Sequence, residues 1–320
     1  MTKSNLSRLI FIDSSVNTHG DHAKVLVPPH PFNAVKSERI ALTLISFCAR
    51  RNWYNVNATN NTFYLYQNNV HYEVQIPPGV YSDFTGAGGL GGALEAAMAG
   101  VIGGMNLIAV VAVLFDATTR RYQITFTNNG ALPVTIRCYD CKTGVAPANV
   151  SPQGFYNDSY ELLGARPIRD PTDAVDSLTG AVADTLVSYY PASLNTLDAI
   201  YLRLNLQTNN FSTTSMDRNL VNTERLVESS LFARIPIERA AFDLVHETVQ
   251  FEDSGGDLYQ TFLAQKSLDN FEIRVTDAKG RPLAEAHPLQ SDLGLMQFTA
   301  VLRYDIFVAP PVASNVSVVD

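Results

Sequence analysis

Charge and cysteine are both scarce in this sequence. Only 17% of the 320 residues are charged, and 31 acidic against 23 basic residues give a net charge of -8. Because nucleic acids and anionic membranes attract basic surfaces, this balance argues against either as the main partner. The three cysteines, Cys48, Cys138 and Cys141, are too few for a disulfide scaffold, and this fits a reducing compartment.

Long uninterrupted hydrophobic runs are also missing. The first apolar run of the chain stops at Asp13, so it is too short for the core of a signal peptide. The longest weakly polar stretch, residues 96–115, is broken by three glycines and by Asn106, so it does not predict a membrane-spanning helix. We therefore expect synthesis in a cytosol and no insertion into a membrane.

Apolar runs of strand length recur along the whole chain, bounded by Asn, Gly, Pro and Asp residues that favour turns. The clearest run alternates Phe271, Ile273 and Val275 with Glu272 and Arg274. Because successive side chains of a strand point to opposite faces, this pattern predicts one buried and one exposed face. The sequence therefore predicts a mainly β protein with antiparallel sheets.

Helices are predicted at two places. Residues 90–98 are rich in Ala and Leu between glycines, and residues 218–229 form a looser candidate with weak periodicity. Residues 165–192 contain three prolines and little apolar pattern. That composition indicates a long connection and a candidate domain boundary.

One motif has the spacing of a nucleotide-binding loop. Gly86, Gly88 and Gly91 match the pattern G-x-G-x-x-G, and Asp116 ends a later apolar run where a ribose-binding acid could lie. That fingerprint requires a buried strand directly before the first glycine, whereas residues 77–84 intervene here and a single helix is available nearby. We interpret the motif as a flexible glycine-rich loop.

The other candidate sites are incomplete. Cys138 and Cys141 have the spacing of half a zinc site, but the second half is missing, so we interpret them as two thiols at the end of a hairpin. His19 and His22 could bind a cation, although a solvated loop is the simpler interpretation. Hydrolase, metalloprotease and P-loop motifs are absent from the sequence. We therefore expect no catalytic, cofactor-binding or metal-binding residue and no enzyme activity.

A set of segments spread along the chain points to one family. The segments are residues 37–43 (SERIALT), 53–57 (WYNVN), 60–63 (NNTF), 76–81 (IPPGVY), 161–164 (ELLG), 231–237 (LFARIPI), 271–277 (FEIRVTD) and 280–283 (GRPL). Together they resemble the jelly-roll capsid proteins of icosahedral double-stranded DNA viruses. The resemblance is to the penton and minor capsid proteins of virophages, polinton-like viruses and large algal or amoebal viruses. It implies a jelly-roll fold and a structural role in a virus shell.

We predict an antiparallel jelly-roll β-sandwich with a smaller inserted α+β piece. Residues 1–66 and 197–320 would form the jelly roll, and residues 67–196 would form the insert with its one short helix. Two packed antiparallel sheets accommodate a chain with many strands and few helices. The alternative is two consecutive β domains, residues 1–192 and 193–320, which would use the same strands.

Three functions fit these expectations. The first is a capsid shell subunit, a penton or minor capsid protein that works by self-assembly and by contact with a major capsid protein. The resemblance implies that it forms a pentamer, is made in the host cytoplasm and resides in the virion. The second is a spike or fibre base that binds a receptor through exposed aromatic residues, Trp53 and Tyr54 or Tyr189 and Tyr190. The third is a nucleotide-binding enzyme that uses the glycine-rich loop.

The low charge agrees with assembly, because permanent subunit interfaces are more apolar than free surfaces. Residues 166–191 and the tail after Val308 lack the periodicity needed to pack within their own domain. We therefore expect these two segments to make contacts between subunits. Direct binding to nucleic acid is not expected, given the net charge of -8.

Overall fold

The computed structural model describes residues 2–14, 22–25, 34–35, 38–50, 53–103, 105, 108–128, 133–139, 159–168, 176–182, 184–194, 197–206, 211–215, 224–228, 230–237, 248–255, 258–268, 270–278, 280, 283 and 296–308. Within these residues, strands greatly outnumber helices and pair antiparallel. The predicted fold class, mainly β, is therefore confirmed.

The secondary-structure elements are numbered in chain order. The strands are β1 (Thr2–Asp13), β2 (His22–Val25), β3 (Glu38–Arg50), β4 (Thr62–Gln67), β5 (Val70–Gln75), β6 (Ile108–Asp116), β7 (Arg121–Asn128), β8 (Thr135–Arg137), β9 (Thr179–Val182), β10 (Thr185–Val187), β11 (Ala199–Leu204), β12 (Phe211–Ser215), β13 (Glu224–Glu228), β14 (Leu231–Pro236), β15 (Thr248–Glu252), β16 (Gln260–Phe262), β17 (Phe271–Thr276) and β18 (Phe298–Val308). The helices are α1 (Leu90–Ile102) and α2 (Tyr160–Leu163).

Contacts divide the chain into two compact units. The first comprises Met1–Arg51, Ala199–His287 and Met296–Asp320, and the second comprises Asn52–Asp198 and Pro288–Leu295. The first unit is thus assembled from both ends of the chain. We predicted one domain formed by residues 1–66 and 197–320 and an inserted domain formed by residues 67–196, and these bounds stay a prediction.

The first unit is an antiparallel β-sandwich. One sheet has the order β1-β18-β3-β15, with β16 beside another stretch of β3, and the second sheet has the order β14-β11-β17-β2. Because β15 and β16 pair with successive stretches of β3, they share one position in the first sheet. β12 and β13 form a separate two-stranded sheet in this unit. When the other strands of the unit are counted along the chain, the first sheet holds strands one, eight, three and six, and the second holds five, four, seven and two. This interleaving is the topology of a jelly roll, so the predicted architecture is confirmed.

The buried face of the sandwich follows the alternation of its strands. In β17, Phe271, Ile273 and Val275 are buried and Arg274 is exposed, as predicted, while Glu272 is half-buried. Burial of one face of each strand removes apolar area from water at about 25 cal/mol per Å². The alternation in the sequence therefore fixes which face of β17 points to the core.

The second unit contains two sheets, β6-β7-β10-β9 and β5-β4-β8, and both helices. α1 buries Leu90, Leu94, Met98 and Ile102, which recur every four residues and form an apolar stripe along the helix. The helix predicted over residues 90–98 is confirmed and extends to Ile102.

Three segments differ from their predicted structure. Part of the looser helix candidate, residues 224–228, forms β13, since its pairing with β12 outweighs a weak helical propensity. The expected connection at residues 165–192 contains β9 and β10, where Leu186 is buried in the core of the unit. β4 pairs with β5 and β8 rather than with a strand beyond residue 197. β9, β10 and β13 are short strands with few apolar residues, so they leave little periodicity in the sequence.

Candidate interaction surface

The glycine-rich loop does not have the geometry of a phosphate site. β5 ends at Gln75 and α1 begins at Leu90, so a long loop separates the strand from the helix. The backbone N–H groups of Leu90 and Gly91 donate to the carbonyl oxygens of Asp83 and Phe84, at 2.9 and 3.0 Å. A phosphate at a helix N-terminus binds to N–H groups of this kind. Because both are already used within the chain, the nucleotide-binding alternative gains no support.

The thiol of Cys138 is buried rather than reactive. Its side chain is fully buried, and burial raises the pKa of the thiol to about 12. The Ser159 hydroxyl, which donates to the Thr62 carbonyl oxygen at 2.8 Å, lies 3.8 Å from the sulfur. A thiol with such a pKa stays protonated at neutral pH. Cys141, His19 and the side chain of His22 lie outside the described residues, which contain no cluster of three or more metal-binding side chains.

The two aromatic pairs suggested for receptor contact differ in exposure. Trp53 is buried and Tyr54 is half-buried, so this pair offers little surface to a partner. Tyr190 is 56% exposed, and its ring centroid lies 6.4 Å from that of Tyr189. The second pair therefore presents an aromatic surface, whereas the first belongs to the packing of its unit.

The edge strand β1 presents two large apolar side chains to solvent. Phe11 is 75% exposed, and Leu9, which lies on the same face of the strand, is 53% exposed. Their partners on β18 are Val301 and Arg303. In the described part of the chain, β1 has a paired strand on one side only. We call these four residues, Leu9, Phe11, Val301 and Arg303, the β1 surface.

A buried ion pair holds the polar side of the β1 surface in place. The Arg303 Nε donates to Asp305 Oδ2 at 2.8 Å, and the Asp305 side chain is fully buried. On the neighbouring strand β3, Thr43 is also fully buried and lies 3.3 Å from the Gln260 amide, which donates to it. Hydrogen-bonded polar groups of this kind rigidify their surroundings. The β1 surface is therefore supported by a fixed framework.

The β1 surface is suited to binding a protein. Exposed apolar side chains on the edge of a sheet favour association, because covering them is favourable and the edge can pair with another chain. Natural monomers protect such edges with charged side chains or proline. Although β1 also carries the exposed charged residues Arg8 and Asp13, the β1 surface places Leu9 and Phe11 in water, which is typical of a surface that is covered in an assembly.

The sequence interpretation missed this surface, and the contacts were expected elsewhere. Within residues 166–191, β10 pairs with β7 and β9, so these described strands pack within their own unit. The tail after Val308 lies outside the described residues. The sequence feature that could have revealed the β1 surface is the continuous apolar run of residues 9–12. A strand that is apolar on both faces is typically covered on both faces, so the run indicates a partner on the outer face.

The second unit contains a compact cluster of aromatic and basic side chains on the sheet β5-β4-β8. His71 Nε2 lies 2.9 Å from the Tyr139 hydroxyl, and the Arg137 guanidinium carbon lies 3.4 Å from the centroid of the Tyr66 ring. The Tyr66 and His71 rings are 4.8 Å apart. Burial, and then the positive charge of Arg137, lower the pKa of His71 to about 4. His71 is therefore neutral at pH 7.

None of the described helices is both long and apolar enough to cross a membrane. No protein-family model and no curated protein matches the chain. Among solved structures, the chain is similar to the crystal structure of the mavirus penton protein, with 10% identity, 94% of this chain and 99% of that chain covered, and a TM-score of 0.42. It is also similar to the cryo-EM structure of the Sputnik virophage, with 13% identity, 94% and 98% of the two chains covered, and a TM-score of 0.38.

Proposed function

We propose that this protein is a structural subunit of an icosahedral virus shell. In this role the chain binds copies of itself and neighbouring shell proteins, and it catalyses no reaction. The subunit is a penton or minor capsid protein that forms a pentamer and contacts a major capsid protein. It is made in the host cytoplasm and resides in the virion.

The exposed Leu9 and Phe11 on the edge of the jelly-roll sheet carry this proposal. Exposed to water, these side chains are a liability for a monomer, because an apolar sheet edge promotes association. In a shell, a neighbouring subunit covers such a surface permanently. The low charged fraction of 17% supports the same role, since permanent interfaces are depleted of charge.

Two further observations support the proposal. The jelly-roll order of the first unit is an architecture used by many virus capsid proteins, although the fold alone does not determine function. The sequence segments that resemble penton and minor capsid proteins lie in both units, so the resemblance does not depend on one domain. The net charge of -8 argues against direct contact with the viral genome.

Negative-stain electron microscopy of the purified protein tests this role. We expect closed rings with fivefold symmetry for the natural sequence, and separate single subunits for a variant with Leu9→Ser and Phe11→Ser. The control is Leu258→Ser, since Leu258 is 69% exposed in the same unit but lies just before β16, which pairs with β3 and not with β1. Isolated subunits at every concentration, or rings that persist in the double variant, would contradict the proposal.

A spike or fibre base is the second candidate, and the exposure of Tyr190 favours it. Tyr190 and Tyr189 together present an aromatic surface, and aromatic residues are enriched in the centres of protein interfaces. A trimer in the same images would support this candidate instead of a penton. Replacing Tyr190 by Ser should then reduce receptor binding and leave the oligomer unchanged.

A further inference from the structure

α1 and the edge strand β6 border an open groove in the second unit. The groove has a volume of about 810 Å³. On the helix side, Gly92, Ala96 and Ala99 recur on one face of α1. These small side chains leave room for the side chains of a bound segment. The rings of Phe84 and Phe115, stacked 4.4 Å apart, also line the groove.

The backbone edge of β6 faces this groove. In the described part of the chain, β6 pairs with β7 alone and ends its sheet. The Val113 N–H points away from β7 and donates to Glu95 Oε2 on α1, at 3.1 Å. Because alternate residues of a strand direct their N–H groups to the same side, Val111 and Phe115 also present theirs to this edge. An additional strand can therefore pair with β6 once the Glu95 carboxylate moves aside.

The chemistry of the groove specifies what kind of strand fits. Of the described residues that line it, Glu95 is the single charged one. Val110 and Leu114, on the outer face of β6, are 57% and 65% exposed, so an added strand would meet apolar neighbours there. The Glu95 carboxylate is exposed, and once it is displaced from the Val113 N–H, a basic side chain of the added strand is its complementary partner. A strand with apolar side chains and one Lys or Arg meets both requirements.

We propose that the groove between α1 and β6 binds an extended apolar segment of another protein, which adds a strand to β6 and pairs a basic side chain with Glu95. Recognition of this kind draws affinity from main-chain hydrogen bonds and specificity from the pockets for alternate side chains. The inference concerns the second unit and goes beyond the shell role, which depends on the β1 surface of the first unit.

Fluorescence anisotropy with two labelled peptides tests the inference on the full chain. The first probe is acetyl-Thr-Val-Lys-Val-Thr-Val-amide, and the second has Glu in place of Lys. We expect the Lys peptide to bind at least about tenfold more tightly, because only its charge is opposite to that of Glu95. Equal affinity for the two peptides, or binding of neither, overturns the proposal.

Variants separate pairing at this groove from adsorption elsewhere. Glu95→Lys should reverse the preference between the two peptides, whereas Glu73→Lys, an equal charge change on the exposed edge of β5, should leave it unchanged. Val113→Pro removes an N–H that β7 does not use, so it should abolish binding of the Lys peptide. If the proline variant does not fold, Ala96→Trp replaces it in the test. The tryptophan side chain fills the helix side of the groove and should also abolish binding of the Lys peptide. If Glu95→Lys does not change the preference between the two peptides, the proposal is overturned. Self-association of the protein, measured without peptide, tests the shell role separately.

Discussion

The Arg303 guanidinium donates to the fully buried carboxylate of Asp305 across 2.8 Å, directly beside the exposed apolar side chains of β1. The pair lies two residues apart on one strand, so both side chains are on the same face of the sheet. This arrangement joins a buried charge to the surface that we propose for assembly. The stability of the first unit should therefore depend strongly on Arg303.

Replacing Arg303 by Ala should lower the free energy of unfolding by about 3 kcal/mol, because it removes the cation from a buried carboxylate. Urea denaturation measures the loss. The matched control is Arg274→Ala, where Arg274 lies 2.9 Å from Glu272 but its side chain is 62% exposed. A pair whose arginine lies largely in water contributes about 0–1 kcal/mol, so equal losses in the two variants would contradict this account of Asp305.

Acidification should destabilise the second unit through His71. The pKa of His71 is about 4 in the folded chain, against an ordinary histidine value of 6.5 in the unfolded chain, so the unfolded chain takes up the proton first as pH falls. The contribution of His71 is therefore fully present above about pH 6.5 and is lost as pH falls towards 4. Urea titrations at several pH values measure this slope.

The control for His71 is a side chain that does not titrate. His71→Gln should show a shallower loss of stability between pH 6.5 and 4 than the natural sequence, whatever its stability at neutral pH. Identical slopes for the two proteins would mean that burial beside Arg137 does not disfavour the charged imidazole.

Gly164 should not tolerate a side chain. Its φ is +61°, and a Cβ atom there would lie 2.1 Å from the Tyr190 carbonyl oxygen. Gly164→Ala should therefore cost more than about 1 kcal/mol of unfolding free energy. Gly100→Ala is the control, since Gly100 lies in α1 with open space around it and alanine should stabilise the helix by about 0.5–1 kcal/mol. Thermal denaturation of both variants should show shifts of opposite sign.

Local patterns in the sequence predicted the elements that depend on local forces. The alternation around Ile273 and the Ala-rich run at Leu90 define a strand and a helix by themselves, and both are confirmed. Short strands such as β9, β10 and β13 depend on pairing with distant partners, which outweighs their weak local signal. The periodicity of a sequence does not show which distant strands will pair.

The β1 surface was missed for the same reason. Ser7 pairs with Asp305 near the other end of the chain, and in the described part of the chain β1 has no strand on its other side, which makes it an edge strand. The sequence shows that Leu9 and Phe11 are apolar, but their exposure follows from the order of strands in the sheet. The groove beside β6 was also not predicted from the sequence, because the contact between Glu95 and Val113 joins a helix to the edge of a sheet.

Ile273 should be among the costliest positions of the sandwich. Its side chain is fully buried on β17, so Ile273→Ala should lower the unfolding free energy by about 2–5 kcal/mol. The adjacent Arg274→Ala should cost far less, because that side chain points to solvent. Urea denaturation that ranked the two variants in the opposite order would mean that the faces of β17 are reversed.

Sedimentation velocity over about a hundredfold range of protein concentration tests the shell role most directly. We predict that the natural sequence forms one discrete oligomer as concentration rises, and that Leu258→Ser behaves in the same way. The Leu9→Ser and Phe11→Ser double variant should remain monomeric while it keeps the melting temperature of a folded protein. A natural chain that stays monomeric at the highest concentration, or a double variant that assembles as well as the control, would contradict assembly through the β1 surface.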